Sequence, residues 1–413
     1  MNTSTYFFNT EAPVFGLLII ILAGIFYAEK SNNNFLVKFF TYVPGLLLCY
    51  FVPSILNSLG LVSPVVSDNL YHIASRYLLP ASLVLLTLSI DLKSIINLGP
   101  KAIIMFITGT VGILIGGPVS LLIASYFGIV DMNPDDLWRG LTTVAGSWIG
   151  GGANQTAMKE MFNVDKDTFS AMVTVDVIVA NVWMGFLLFG AGINQRVDKW
   201  LKADSSSIEE LKNKLINYKK KNQRIPSLLD FMIILAIGFG ITGFAHFCSD
   251  IISPYIQNNF PYLEKFSLTS PFFWLIVIAT TAGLVLSFTK FRKYEGAGSS
   301  TIGSLFLYIL VATIGMKMNA LAILDTPGLF VLGFIWMLIH VILLLSVAKL
   351  IRAPFFFVAV GSQANVGGAA SAPVVASAFH PSLAPVGVLL AVLGYALGTY
   401  AAWFCGILMQ FVS

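Results

Sequence analysis

The chain has 413 residues, of which 57% are apolar and only 11% charged. Soluble proteins carry about 25% charged residues, so a soluble enzyme, a nucleic-acid binder and a disordered tail protein are excluded. The net charge of +4 comes from 24 basic and 20 acidic residues, placed almost entirely between long apolar runs. Cys49, Cys248 and Cys405 lie too far apart in sequence for a disulfide framework or a zinc site. The class is an all-α polytopic membrane protein.

The N-terminus reads as a spanning helix and not as a cleaved leader. Residues 1–11 hold no Lys or Arg, and the run 12–28 ends in Glu29-Lys30 without a small-residue cleavage site. A span needs roughly 20 apolar residues. Further runs follow at 39–59, 73–90, 102–130, 140–158 and 168–193, then at 231–247, 266–289, 298–316, 327–348, 354–379 and 385–412. The only long polar segment, 194–226, separates two sets of six and holds nine of the 24 Lys and Arg residues, which places it in the cytoplasm. Its stretch 207–221 predicts a solvated helix without chemistry. The organisation is a first transmembrane repeat over 1–193, a basic linker over 194–226, and a second repeat over 227–413.

Two of the twelve runs are rich in glycine and polar residues. One reads Gly146-Ser147-Trp148-Ile149-Gly150-Gly151-Gly152-Ala153-Asn154-Gln155-Thr156 and the other Gly361-Ser362-Gln363-Ala364-Asn365-Val366-Gly367-Gly368-Ala369-Ala370-Ser371-Ala372-Pro373. A glycine inside a helix costs about 1 kcal/mol against alanine, so both stretches are expected to be broken or looped. Irregular backbone at membrane depth survives only when buried in protein or lining a wet cavity. Both are therefore predicted as re-entrant hairpins or discontinuous helices. With both re-entrant, ten spans remain, both termini face outward, and the positive-inside bias is stronger than with twelve full crossings.

The halves echo each other in order. The stretch 149–153 pairs with 366–370, and 87–93 resembles 313–319. Five spans per half joined by a cytoplasmic linker leave the second half upside-down relative to the first. Interrupted segments at matching positions of inverted halves point to a secondary transporter's binding site. Gly112 and Gly116, and Gly394 and Gly398, have the small-xxx-small spacing of close helix packing, and a structural role is expected for them.

Amide and hydroxyl oxygens, with carbonyls freed where a helix unwinds, are hard neutral ligands for Na⁺. Freed N–H groups at helix starts suit an anionic substrate group. On this basis Asn154, Thr156, Asp176 and Asn365 are candidate ion-binding residues, with Na⁺ at Asn154, Asp176 and Asn365. Ser147, Gln155, Ser362, Gln363 and Ser371 are candidate substrate ligands. The competing reading is that the Asn and Gln side chains hold helices together. Asp176, in the middle of 173–179, is a buried carboxylate that must be paired, protonated or ion-bound. Asp91 and Lys317 close their runs where water can reach; a buried Lys317 would face an anion or pair with Asp176. His340 lies mid-span, where a neutral, hydrogen-bonded ring outweighs a proton relay. No nucleophile elbow, P-loop, H-E-x-x-H motif or dinucleotide fingerprint occurs, so no catalytic residue and no cofactor are expected, only a coupling ion, Na⁺ or H⁺.

The stretches 150–154, 312–317 and above all 362–373 resemble a bacterial integral membrane family known as YjcL-like, over nearly the whole chain. That family is distantly similar to the cation–proton-antiporter and anion-transporter assembly, which includes sodium–glutamate, citrate and bile-acid symporters. The resemblance implies inverted repeats, a mobile core carrying the broken segments, ion-coupled elevator transport of a small-molecule substrate, and a homodimer. The expected setting is the lipid bilayer of the bacterial inner membrane, with no nucleic-acid partner. A cation/proton antiporter titrating at Asp176 is the alternative. An intramembrane hydrolase with Ser147 or Ser362 as nucleophile and His340 as base is a remote one, since nothing in the sequence brings those residues together.

Overall fold

A computed structural model of the chain describes residues 6–413 apart from 44, 92–94, 204–224, 267, 318–326 and 381–382. The predicted solvated helix at 207–221 and parts of the 87–93 and 313–319 pairing lie outside the described residues. Helices build nearly all of the rest, with one isolated bridge between Phe8 and Val62. Six helices are long and apolar enough to cross a membrane, and a seventh is reached if Pro271–Ser287 and the helix Lys290–Ala297, bent by 95°, form one span. The remaining predicted spans are shorter or interrupted. The run 39–59 falls into two helices, α2 (Asn34–Tyr42) and α3 (Gly45–Ser58). The run 73–90 continues α4 (Pro64–Ile73) through a π-helical turn, Ala74–Leu78, into α5 (Leu79–Leu88).

The described contacts sort the helices into two bundles. The first holds α1 (Glu11–Glu29), α3, α4 and α5, with α10 (Leu228–Asn259), α11 (Pro271–Ser287) and α12 (Ser299–Gly315). The second holds α6 (Pro100–Phe127), α7 (Pro134–Met161), α8 (Lys166–Gly192), α13 (Gly328–Leu350), α14 (Phe355–Val366), α15 (Gly368–Phe379) and α16 (Ala384–Val412). A short helix, α9 (Asn194–Leu201), follows α8. Each half of the sequence thus gives its first spans to one bundle and its last spans, with the glycine tract, to the other.

Both glycine tracts turn back on themselves. In α7 the backbone breaks at Gly151, with φ 75° and ψ −176°, a region that glycine alone enters freely. Arg139 Nη1, before the break, donates to the Phe162 carbonyl at 2.8 Å, and the Trp138 and Phe162 rings lie 5.5 Å apart. A continuous helix would separate residues 139 and 162 by about 35 Å. Near the turn, a Cβ on Gly146 would stand 2.7 Å from the Asn154 carbonyl oxygen, so the limbs touch there too. The α14–α15 pair repeats this shape. Gly368 has φ +60°, Gln363 Nε2 donates across the turn to Ser371 Oγ at 2.7 Å, and the Phe355 and Phe356 rings sit 6.0 and 5.3 Å from Phe379.

The hairpins begin near opposite ends of α8. Helix α8 is 27 residues long, about 40 Å. At its start Lys166 pairs with Asp68, near the two ends of the first hairpin. Beyond its other end Asp198 accepts the N–H of Phe355, the first residue of the second hairpin, at 2.7 Å. The tips nevertheless meet on one residue of α16. A Cβ on Gly394 would lie 2.6 Å from the Ile149 carbonyl oxygen and 3.7 Å from that of Ala364. One turn along, a Cβ on Gly398 would lie 2.5 Å from Gly150 Cα. Gly112 and Gly116 receive His340 and Trp336 in the same way, so all four glycines have the packing role expected of them.

Gly394→Val therefore pushes both tips off α16. Overpacking of this kind costs about 1–3 kcal/mol, which thermal unfolding of the detergent-solubilised protein reads as a clear drop in midpoint. Gly16→Ala, whose Cβ meets nothing within 4 Å inside α1, does not lower the midpoint and gains up to about 1 kcal/mol of helix propensity.

Candidate functional site

Beside each hairpin turn, a buried asparagine ties the tip to a neighbouring long helix. Asn154 Nδ2 donates to the Gly150 and Tyr395 carbonyls, both at 3.0 Å, while its Oδ1 accepts from Thr399 Oγ1 at 2.6 Å. Asn365 Nδ2 donates to the Gly361 and Phe106 carbonyls, both at 2.9 Å, and its Oδ1 accepts from Thr110 Oγ1 at 2.7 Å. Each asparagine bonds the carbonyl four residues back in its own hairpin. Each also bonds a carbonyl and a hydroxyl four residues apart on a neighbouring long helix. Both are fully buried. The receiving helices offer Phe106-x-x-Gly109-Thr110 and Tyr395-x-x-Gly398-Thr399, where the glycine admits the amide and the threonine answers its oxygen. This shared pattern lies in the sequence, but it becomes meaningful only once the asparagines are seen against it. Thr399 passes the chain on to Thr280 at 3.2 Å, in the other bundle.

Asp176 lies on α8 beside the first tip. Its Oδ2 accepts from Gln155 Nε2 at 3.0 Å, and Ser147 and Trp148 face the same carboxylate. Tyr50, on α3 of the opposite bundle, is within electrostatic reach of Asp176, and its buried hydroxyl has no hydrogen-bond partner. Among the predicted residues, Ser147, Gln155 and Asp176 come together here. Thr156 instead bonds the Gly152 carbonyl at 3.0 Å, within its own limb. Gln363 and Ser371 bridge the second tip, with Gln363 Oε1 buried and unpartnered. Asn154, Asp176 and Asn365 have separate hydrogen-bond partners.

Ser362 and His340, which the sequence does not connect, are neighbours. Trp183 Nε1 donates to Ser362 Oγ at 2.8 Å, Ser362 lies 2.8 Å from His340 Nε2, and His340 Nδ1 lies 3.0 Å from the Gly109 carbonyl. With Nδ1 carrying the proton toward Gly109, Nε2 accepts from the serine, and the chain is satisfied from end to end. Both Ser362 and His340 are fully buried, and the Trp183 indole covers the hydroxyl. Lys317 is also placed, and it does not meet Asp176: its ammonium lies 2.6 Å from Asp68. Asp91 pairs with Arg292 at 2.6 Å at its span end. Sequence reasoning missed Tyr50, Trp183 and the threonine partners, because aromatic and hydroxyl residues in apolar runs look like packing.

Removing an asparagine loses the amide's bonds to a neighbouring helix and the acceptor of a buried threonine, at about 1–3 kcal/mol. Asn365→Ala is expected to lower the unfolding midpoint well beyond Thr281→Ala, which loses only exposed bonds. Equal midpoints would show that the amide carries no tip-docking load.

Two comparisons with known proteins bear on this arrangement. The sequence profile of a family described as protein of unknown function DUF819 matches residues 16–412. A protein of Bacillus subtilis (strain 168) described as "Uncharacterized membrane protein YjcL" is 25% identical over 385 residues, covering 89% of this chain and 90% of that protein. The profile takes in both bundles and both hairpins, so this multi-pass membrane protein belongs to the DUF819 family.

Proposed function

We propose that the protein is a secondary active transporter that moves a small polar or anionic metabolite (a carboxylate, amino acid or acidic sugar), coupled to Na⁺ or H⁺. The observation that carries this reading is the meeting of two helical hairpins, which begin near opposite ends of α8, on Gly394, with the buried Asp176 carboxylate beside the first tip. Opposed broken helices are how transporters bring both signs of backbone charge to a midplane site. Carbonyls freed before Gly151 and Gly367 suit a cation, and the N–H groups opening α15 suit an anion. Asp176, with Ser147, Gln155 and the unpartnered Tyr50 hydroxyl around it, has the oxygens for Na⁺ and the burial for a proton. The split into two bundles supports an elevator movement in which the hairpin bundle slides against the other, exchanging contacts along the Tyr50–Asp176 seam. The two hairpins are the interrupted elements of inverted repeats in this reading. The bacterial cytoplasmic, or inner, membrane is the setting that the Bacillus relative favours.

A cation/proton antiporter is the second reading, favoured by the buried Asp176 carboxylate beside the first hairpin tip. A hydrolase at Ser362 is disfavoured, because its hydroxyl and His340 are fully buried and the hydroxyl is held between Trp183 and His340.

Thermal unfolding of the purified protein against a metabolite panel, in Na⁺ and separately in K⁺, tests the proposal. A metabolite that stabilises only with Na⁺ present supports Na⁺-coupled transport, and a hundredfold excess over Kd corresponds to about 2.7 kcal/mol. Asp176→Asn should abolish that increment and the uptake into proteoliposomes while the fold survives. Asn154→Ala and Asn365→Ala should lose the Na⁺ increment as well. A cation flux driven by pH alone, without any metabolite, would select the antiporter.

A further inference from the structure

Where the first hairpin ends, one carboxylate ties the hairpin bundle to the other. Glu160, near the end of α7, accepts from the Tyr71 hydroxyl of α4 and pairs with Arg76 of the π-helical turn, whose Nη1 lies 3.0 Å away. Lys159, its neighbour in the chain, adds an ion pair at 3.0 Å and donates to the Tyr71 oxygen at 2.9 Å. The Glu160 and Lys159 side chains are only 12% and 11% exposed. Exposed ion pairs contribute little, and the nearby Lys166–Asp68 pair, half-exposed on both sides at 3.6 Å, is of that kind. The Glu160 knot differs. It is a mostly buried carboxylate answered by one hydroxyl and two cations, and two of those three groups belong to the opposite bundle.

The first bundle holds its side of the knot ready. Tyr71 and Arg76 are five residues apart, which in an α-helix sets them about 140° apart around the axis, yet both reach Glu160. The π-helical turn Ala74–Leu78, which contains Arg76, changes that spacing. His246 Nε2 of α10 donates to the Arg76 carbonyl at 2.9 Å, and the Arg76 guanidinium lies 4.4 Å from the centre of the Phe272 ring of α11. Two helices of the same bundle therefore brace the turn, and Arg76 cannot follow a moving Glu160 without leaving them.

We infer that Glu160 is a latch: its bonds to Tyr71 and Arg76 fasten the hairpin bundle in the position seen, and they break before that bundle slides. The inference rests on the sliding bundle of the transport reading and adds which contact holds it at rest. Lys159 travels with Glu160 on the same limb, so the released carboxylate keeps one of its cations. The hydroxyl contacts that also cross between the bundles, Thr280 with Thr399 and Thr281 with Tyr400, are neutral and exchange for other polar groups at less cost than a half-buried charge.

Spin-label distances in the full chain in nanodiscs test the latch. Labels on Val65→Cys of α4 and Tyr126→Cys of α6, at positions 66% and 84% exposed, span the two bundles. Labels on Tyr126→Cys and Asp167→Cys, the second on α8, lie within the hairpin bundle, and Cys248→Ser removes the half-buried native thiol. Latched wild type should give one cross-bundle distance. Glu160→Ala should add a second, with the ratio of displaced to latched molecules rising at least tenfold, while the within-bundle distance stays as in wild type. Tyr71→Phe keeps the ring and drops only the hydroxyl. It should add the same second distance, and it decides the matter should Glu160→Ala fold poorly. An unchanged single cross-bundle distance in the folded variant overturns the latch. So does a within-bundle distance that broadens alongside, which would mark Glu160 as holding the fold only. Asp176→Asn, aimed at the ion site, should keep the wild-type distances. A metabolite that stabilises wild type in Na⁺ while the latch variants hold one distance would leave transport standing without the latch. A second distance with no metabolite response would keep the latch and remove the metabolite.

Discussion

Two interrupted helical hairpins must be anchored inside an apolar bundle, and in this protein Asn154 and Asn365 tie each tip to a neighbouring long helix. With no water to fall back on, an orphaned carbonyl in hydrocarbon costs several kcal/mol. Each asparagine holds its own hairpin limb through the carbonyl four residues back and holds a long helix through a carbonyl and a threonine hydroxyl. The same three-bond device occurs once in each hairpin. Because the bonds run to α16 and α6, docking of the tips and integrity of the hairpin bundle are one interaction.

Glycine makes that docking possible in two separate ways. Gly151 and Gly368 adopt the positive φ of the turns, while Gly394 and Gly398 let backbone approach backbone where a methyl group would collide. Close approach of this kind substitutes for the hydrophobic effect, which gives little drive between helices already surrounded by lipid. The hydrogen-bonded chain Trp183–Ser362–His340–Gly109 then joins α8, α14, α13 and α6, so the second hairpin is held along its limb as well as at its tip.

The seam between the bundles has a different character. There the buried Tyr50 hydroxyl has no hydrogen-bond partner and lies within electrostatic reach of Asp176. Toward one face, ion pairs cross between the bundles, Arg76 to Glu160 and Lys166 to Asp68.

Much of this was legible in the order of residues. Apolar run lengths identify a helical membrane protein, because a spanning segment must satisfy its own backbone. The clustering of Gly with Ser, Asn and Gln marks the two re-entrant elements, since a helix interior does not tolerate them without a reason. Asp176 stands out because a carboxylate in an apolar run carries a large desolvation cost. Pairings between distant positions were not legible. That Asn154 answers Thr399, that Ser362 meets His340, and that Lys317 reaches Asp68 and not Asp176 depend on which helix faces which and at what rotation. A one-dimensional pattern fixes the periodicity of each helix but not its neighbours. The sequence alone therefore determines that the backbone must break twice, and only the tertiary structure decides that the breaks meet on Gly394 and which side chains close them.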